Sequence, residues 1–63
     1  MKRRALLRQL TQIGESKNLK LELVRHGAGH DIYHLGNAVL TIGRHADIPE
    51  PTAKIILKTA RNA

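Results

Sequence analysis

The chain has no cysteine, no tryptophan and no phenylalanine, and Tyr33 is its single aromatic residue. Without cysteine there is neither a disulfide framework nor a thiolate metal site, which fits a reducing cytoplasm. With one aromatic ring, base stacking is excluded as the main mode of binding nucleic acid. No apolar run approaches the roughly 20 residues of a membrane-crossing helix. Arg8 and Gln9 interrupt the apolar stretch that begins at Leu6-Leu7, so no signal-peptide core stands near the N-terminus. Together these absences lead us to expect a soluble, cytoplasmic protein with no membrane partner.

Acidic residues are also scarce: five Asp and Glu against eleven Lys and Arg give a formal charge of +6. On so small a domain this field selects anionic partners, nucleic acid first and an acidic protein second. Length sets the remaining bound. A chain of 63 residues is read as one domain, residues 1–63, burying only about 60% of its unfolded surface. That core is too small to enclose a large cofactor, and none is expected.

Apolar spacing supplies the architecture. Leu6, Leu7, Leu10 and Ile13 recur at three- and four-residue intervals, predicting an amphipathic helix over residues 3–13 with Arg3, Arg4, Arg8 and Gln12 on its polar face. Gly14 is placed to end that helix, because glycine adopts positive φ without penalty. Leu19, Leu21 and Leu23 alternate with Lys20 and Glu22, the period of a half-buried strand over residues 19–24. A glycine-rich turn, Gly27-Ala28-Gly29, separates it from a second strand over 30–35. Gly36-Asn37 is a two-residue hairpin signal, and Ala38 to Ile42 form a third strand. After a loop from Gly43 to Pro49, Pro51 suits the first position of a closing helix. Ala53, Ile56, Leu57 and Ala60 form its buried stripe, with Lys58 and Arg61 near the favourable C-terminal end. The expected fold is α+β in the order α-β-β-β-α: a three-stranded antiparallel sheet with two helices on one face and the other face open.

Four histidines fall between positions 26 and 45: His26, His30, His34 and His45. A shared metal is disfavoured. On a strand, His30 and His34 share a face but stand about 13 Å apart at ~3.3 Å per residue, whereas ligands to one zinc ion lie about 2 Å from it. The carboxylates, Glu15, Glu22, Asp31, Asp47 and Glu50, are scattered, and no nucleophile motif accompanies the hydroxyl residues. What remains is imidazole and guanidinium chemistry. RNA carries its own nucleophile in the 2′-hydroxyl; a neutral histidine can take that proton, and Arg or Lys can stabilise charge building on phosphorus. His30, at a strand start just past a bendable turn, is the candidate catalytic group. Lys2, Arg3, Arg4 and Arg25 are the candidate phosphate contacts, with Arg44 nearer the scissile one. Tyr33 and His45 are assigned supporting places, Tyr33 by packing and His45 in the loop beside Arg44.

These residues, in this order, resemble the HicA-type mRNA interferase toxins of bacterial type II toxin–antitoxin modules. The resemblance runs through Arg4-Ala5-Leu6-Leu7, Leu23-Val24-Arg25, the stretch Gly27-Ala28-Gly29-His30-Asp31-Ile32-Tyr33, Gly43-Arg44-His45-Ala46-Asp47-Ile48, and the closing Thr52-Ala53-Lys54-Ile55-Ile56-Leu57-Lys58. It covers nearly the whole chain. Two positions depart from the family pattern: Gly29 replaces the usual Ser or Asn before the histidine, and Gly43 the usual Pro before Arg-His. The resemblance implies a fold similar to double-stranded-RNA-binding domains, ribosome-independent cleavage of mRNA with His30 as the catalytic residue, no metal, and neutralisation by a HicB-type antitoxin, expected to be acidic. Two other classes share the charge pattern. A non-catalytic RNA-binding module of the same fold separates from the toxin only at His30, and a structural protein docking an acidic partner predicts no RNA affinity at all.

Overall fold

A computed structural model describes all 63 residues. Helix α1 (Arg3–Ser16) leads into strands β1 (Leu21–His26), β2 (His30–Leu35) and β3 (Ala38–Gly43), and helix α2 (Glu50–Arg61) closes the chain. The strands form an antiparallel meander with β2 in the centre. Both helices pack on one face, so the order is α-β-β-β-α with an open sheet, as the periodicities predict. Neither helix is long and apolar enough to cross a membrane.

The core is aliphatic throughout. Leu6 and Leu10 from α1 meet Leu35, Leu40 and Ile42 from the sheet, with Ile48 from the loop and Ala53, Ile56, Leu57 and Ala60 from α2. Each large side chain buried this way contributes about 2 kcal/mol, which is how so short a chain holds together without disulfides. Leu35 and Ala38 pair directly across Gly36-Asn37, and Gly36 takes the positive φ, +59°, that a two-residue hairpin demands. Pro51 is the second residue of α2, one later than the first position expected for it but still within the first turn.

Three local expectations are corrected. Gly14 does not terminate α1, which runs on to Ser16. Gly14 is buried inside the helix because a Cβ there would lie 2.7 Å from the Leu19 carbonyl oxygen and 2.8 Å from Leu35 Cδ1. The left-handed residue after the helix is Asn18, at φ 58°, a residue type that tolerates this region. Leu19 consequently lies outside the ladder and packs inward beside Gly36, so β1 begins at Leu21 and runs to His26.

Arg3 is the third correction. It sits three and seven residues before Leu6 and Leu10, on the same stripe of α1, and its side chain is half-buried rather than on the polar face. Residues 1–3 are held there by backbone pairing with the 46–48 segment. Arg3 N donates to the Ala46 carbonyl at 2.8 Å and Ile48 N to the Met1 carbonyl at 2.7 Å.

One irregularity in the sheet decides what reaches its end. Leu21 and Leu23 pair with Leu35 and Tyr33, but the next pairs are Arg25 with Ile32 and His26 with Asp31, so Val24 is the extra residue of a β-bulge. In an unbroken ladder Arg25 would face Asp31. The bulge shifts the register by one, which in a strand exchanges the two faces, and brings His26 opposite Asp31 instead.

Candidate functional site

Asp31, Tyr33 and Leu35 alternate onto the helix-covered face of β2, and Asp31 lies where that face runs out of apolar neighbours. The residue is 4% exposed, and a carboxylate so placed must be paired. Its Oδ2 accepts a hydrogen bond from Arg3 Nη2 at 2.9 Å. Its Oδ1 accepts from Arg44 Nε at 2.8 Å and from His26 Nδ1 at 2.9 Å. Arg3 also donates through Nε to the Gly43 carbonyl at 2.8 Å. One aspartate therefore ties together α1, β1 and the segment after β3. The Arg44 hydrogen bond, opposed by burial and reinforced by the His26 hydrogen bond and by the charges of both partners, holds the Asp31 carboxyl below its ordinary range.

An ionised carboxylate only accepts, so His26 Nδ1 carries a hydrogen, and Nε2 is the ring nitrogen left facing outward. The His26 side chain is 67% exposed, so that nitrogen is open to solvent. Arg44 Nη2 comes within 3.4 Å of His26 Nδ1, where two donors meet as neighbours without bonding. Its hydrogen bond goes instead to the Gly27 carbonyl.

Arg44 also governs the turn before His30. Its side chain holds the Gly27 carbonyl, and its backbone N–H donates to the Gly29 carbonyl at 3.4 Å. Gly27 N in turn donates to the His30 carbonyl at 2.7 Å. The His30 ring lies over Gly27: a Cβ there would be 3.4 Å from His30 Nε2 and 2.7 Å from the His30 carbonyl oxygen. Gly27 is thus required by close approach. Gly29 has open space where a Cβ would go and no positive φ. His30 pairs with Gly43 on the open side of the sheet and is exposed.

The other sequence candidates are dispersed around this end of the sheet. Arg25 is exposed on the open face, opposite Ile32. Lys2 and Arg4 are exposed at the start of α1 and line a cleft with Arg3 and Ala46. Lys2 Nζ lies 3.2 Å from Asp47 Oδ1, an exposed pair of the kind that contributes 1 kcal/mol or less. Arg4 makes no ion pair. Tyr33 packs half-buried against the core, and His45 is exposed in the loop, outside every side-chain hydrogen bond. No three His, Asp or Glu side chains converge as ligands to one metal ion.

The structure therefore gathers His30, Arg44 and Arg3 at one end of the sheet, but places Arg3 and Arg44 on Asp31 rather than free for phosphate. Asp31 and His26 are the residues that pattern reading passed over. One signal was present: Asp31 shares strand parity with Tyr33 and Leu35, and an acidic residue in an inward-facing set must find cations. Comparison of the chain with protein-family models, with curated proteins and with solved structures gives no match.

Proposed function

We propose that this protein is a metal-independent endoribonuclease of the HicA toxin type, cutting mRNA with His30 as the base that takes the 2′-hydroxyl proton. The observation that carries the reading is the seating of His30: an exposed imidazole laid on Gly27, in a turn whose two glycine carbonyls are both held by Arg44. A general base needs an accessible nitrogen, and an exposed ring resting on the turn, in a domain of charge +6, supports that reading. Arg4, Arg25 and Lys2 carry the diffuse phosphate contacts. The role of Arg44 is better supported as holding the turn than as gripping the scissile phosphate. The partner in this reading is an acidic HicB-type antitoxin that covers the His30 face, steered there by the charge that attracts RNA.

Purified protein is expected to cut unstructured RNA in the presence of chelator, and His30→Ala to lower the rate by about 10²- to 10⁴-fold with RNA binding and circular dichroism retained. Undiminished cleavage by folded His30→Ala would sink the assignment. RNA binding without cleavage by the wild type would favour the binding module, and absence of RNA affinity the acidic-partner scaffold.

A further inference from the structure

His26 has the attributes of a reacting group that the 2′-hydroxyl chemistry leaves unused. Cleavage of RNA by its own 2′-oxygen needs two proton transfers, one from the nucleophile and one to the departing 5′-oxygen, and in-line displacement puts them on opposite sides of phosphorus. A single base leaves the second transfer to water. Here two exposed imidazoles flank one side-chain-poor tip, Gly27-Ala28-Gly29. His30 lies on the open-face side of that tip and His26 on the helix side. His26 also has a buried carboxylate on Nδ1 at 2.9 Å, the arrangement that holds a ring with Nε2 facing outward.

We propose that His26 is a second catalytic histidine, the general acid that delivers a proton from Nε2 to the 5′-oxygen leaving group; this rests on the endoribonuclease reading. A phosphodiester laid across the bare tip meets His30 on one side and His26 on the other. His30 takes the proton of the 2′-hydroxyl as the O2′–P bond forms. The P–O5′ bond breaks and the 5′-oxygen takes the His26 proton. The products are a 2′,3′-cyclic phosphate and a 5′-hydroxyl, with His30 protonated and His26 neutral until water exchanges the proton between them. The charged groups facing His26 are Asp31 from β2 and Arg44 from beyond β3, with Arg3 of α1 reaching it only through Asp31. Asp31 is a positioning residue for both His26 and Arg44.

The test uses His26→Asn, whose amide keeps a donor toward Asp31 near the Nδ1 position while removing Nε2. Each protein is assayed on ordinary RNA and on RNA carrying sulfur in place of the 5′-bridging oxygen, a leaving group that departs without protonation. His26→Asn is expected to be slowed about 10²- to 10⁴-fold on ordinary RNA and to approach the wild type on the sulfur substrate. His30→Ala is expected to stay slow on both. Equal loss by His26→Asn on both substrates, or no loss on either, would overturn the acid role while leaving His30 in place. A wild type that cuts neither substrate overturns the endoribonuclease reading and this inference with it.

Discussion

A carboxylate as enclosed as Asp31 would ordinarily be kept neutral by its surroundings. Two guanidinium donors and one imidazole reverse that outcome, because a charge-assisted hydrogen bond to an ionised group is roughly twice as strong as a neutral one. The consequence for stability has a definite sign. The folded-state pKa of Asp31 lies below its unfolded value, so the folded protein binds fewer protons there than the unfolded chain. The stabilisation is present above about pH 4, the ordinary aspartate range, and is lost as pH falls through the lower folded value. Asp31→Asn removes the titration and is expected to be less stable than wild type at neutral pH. Its thermal midpoint should then vary less steeply between about pH 5 and pH 2. Parallel melting curves for the two proteins over that range would show that Asp31 does not carry the acid sensitivity.

Among the elements, β1 is where sequence reading fell furthest short. Helix α1 is legible from Leu6 and Leu10, β3 from the alternation of Val39, Leu40, Thr41 and Ile42, the hairpin from Gly36-Asn37, and α2 from Pro51 and its apolar stripe. Each of those signals is local. The end of α1 is not, because Gly14 is demanded by Leu19 and Leu35, which approach it only in the folded chain. The inward turn of Arg3 depends likewise on Asp31, far along the sequence. Nor does any local feature mark Val24 as the extra residue, since valine fits a regular strand as well as any residue. His30 could be singled out from its own turn; His26 could not, because its place opposite Asp31 is made by the bulge. Deleting Val24 should therefore leave a regular ladder in which Leu23 still pairs with Tyr33 and His26 with Asp31. The shortened protein is expected to fold with its melting midpoint within about 8 °C of wild type, a change of roughly 1 kcal/mol for a domain this size. Cross-strand nuclear Overhauser contacts between residues 26 and 31 provide the check. Their loss on deletion would mean that another residue of β1 absorbs the irregularity.

At the scale of the whole molecule, the cations divide by what they are already bound to. Arg3 and Arg44 are committed to Asp31 and Lys2 lies beside Asp47, whereas Arg4 and Arg25 point to solvent from α1 and from the open sheet. If RNA is held chiefly through its backbone, each phosphate neutralised on a single strand contributes about −0.7 to the slope of log affinity against log salt. Arg4→Gln combined with Arg25→Gln should reduce the magnitude of that slope by about 1.4 and weaken unrelated sequences alike, with the fold unchanged. A slope that does not move would leave both arginines as solvated surface, and marked preference for one short sequence would contradict backbone recognition. Arg3 is unsuited to this experiment, since its loss also strips a partner from Asp31.

The pairing of residues 1–3 with 46–48 also orders events in time. Synthesis proceeds from the N-terminus, so α1 emerges before the strands, and its first turn has nothing to dock on until Ile48 has been made. The loop that this contact closes spans most of the chain, and closing it carries an entropic penalty that the shorter β2–β3 hairpin does not. Arg3 therefore cannot be held against Asp31 by that contact until residues 46–48 have been made. If the chain cuts RNA as proposed, the nascent polypeptide on its own message is the state in which activity would be self-defeating. In that state the cluster behind His26 and Arg44 still lacks its helix-borne arginine.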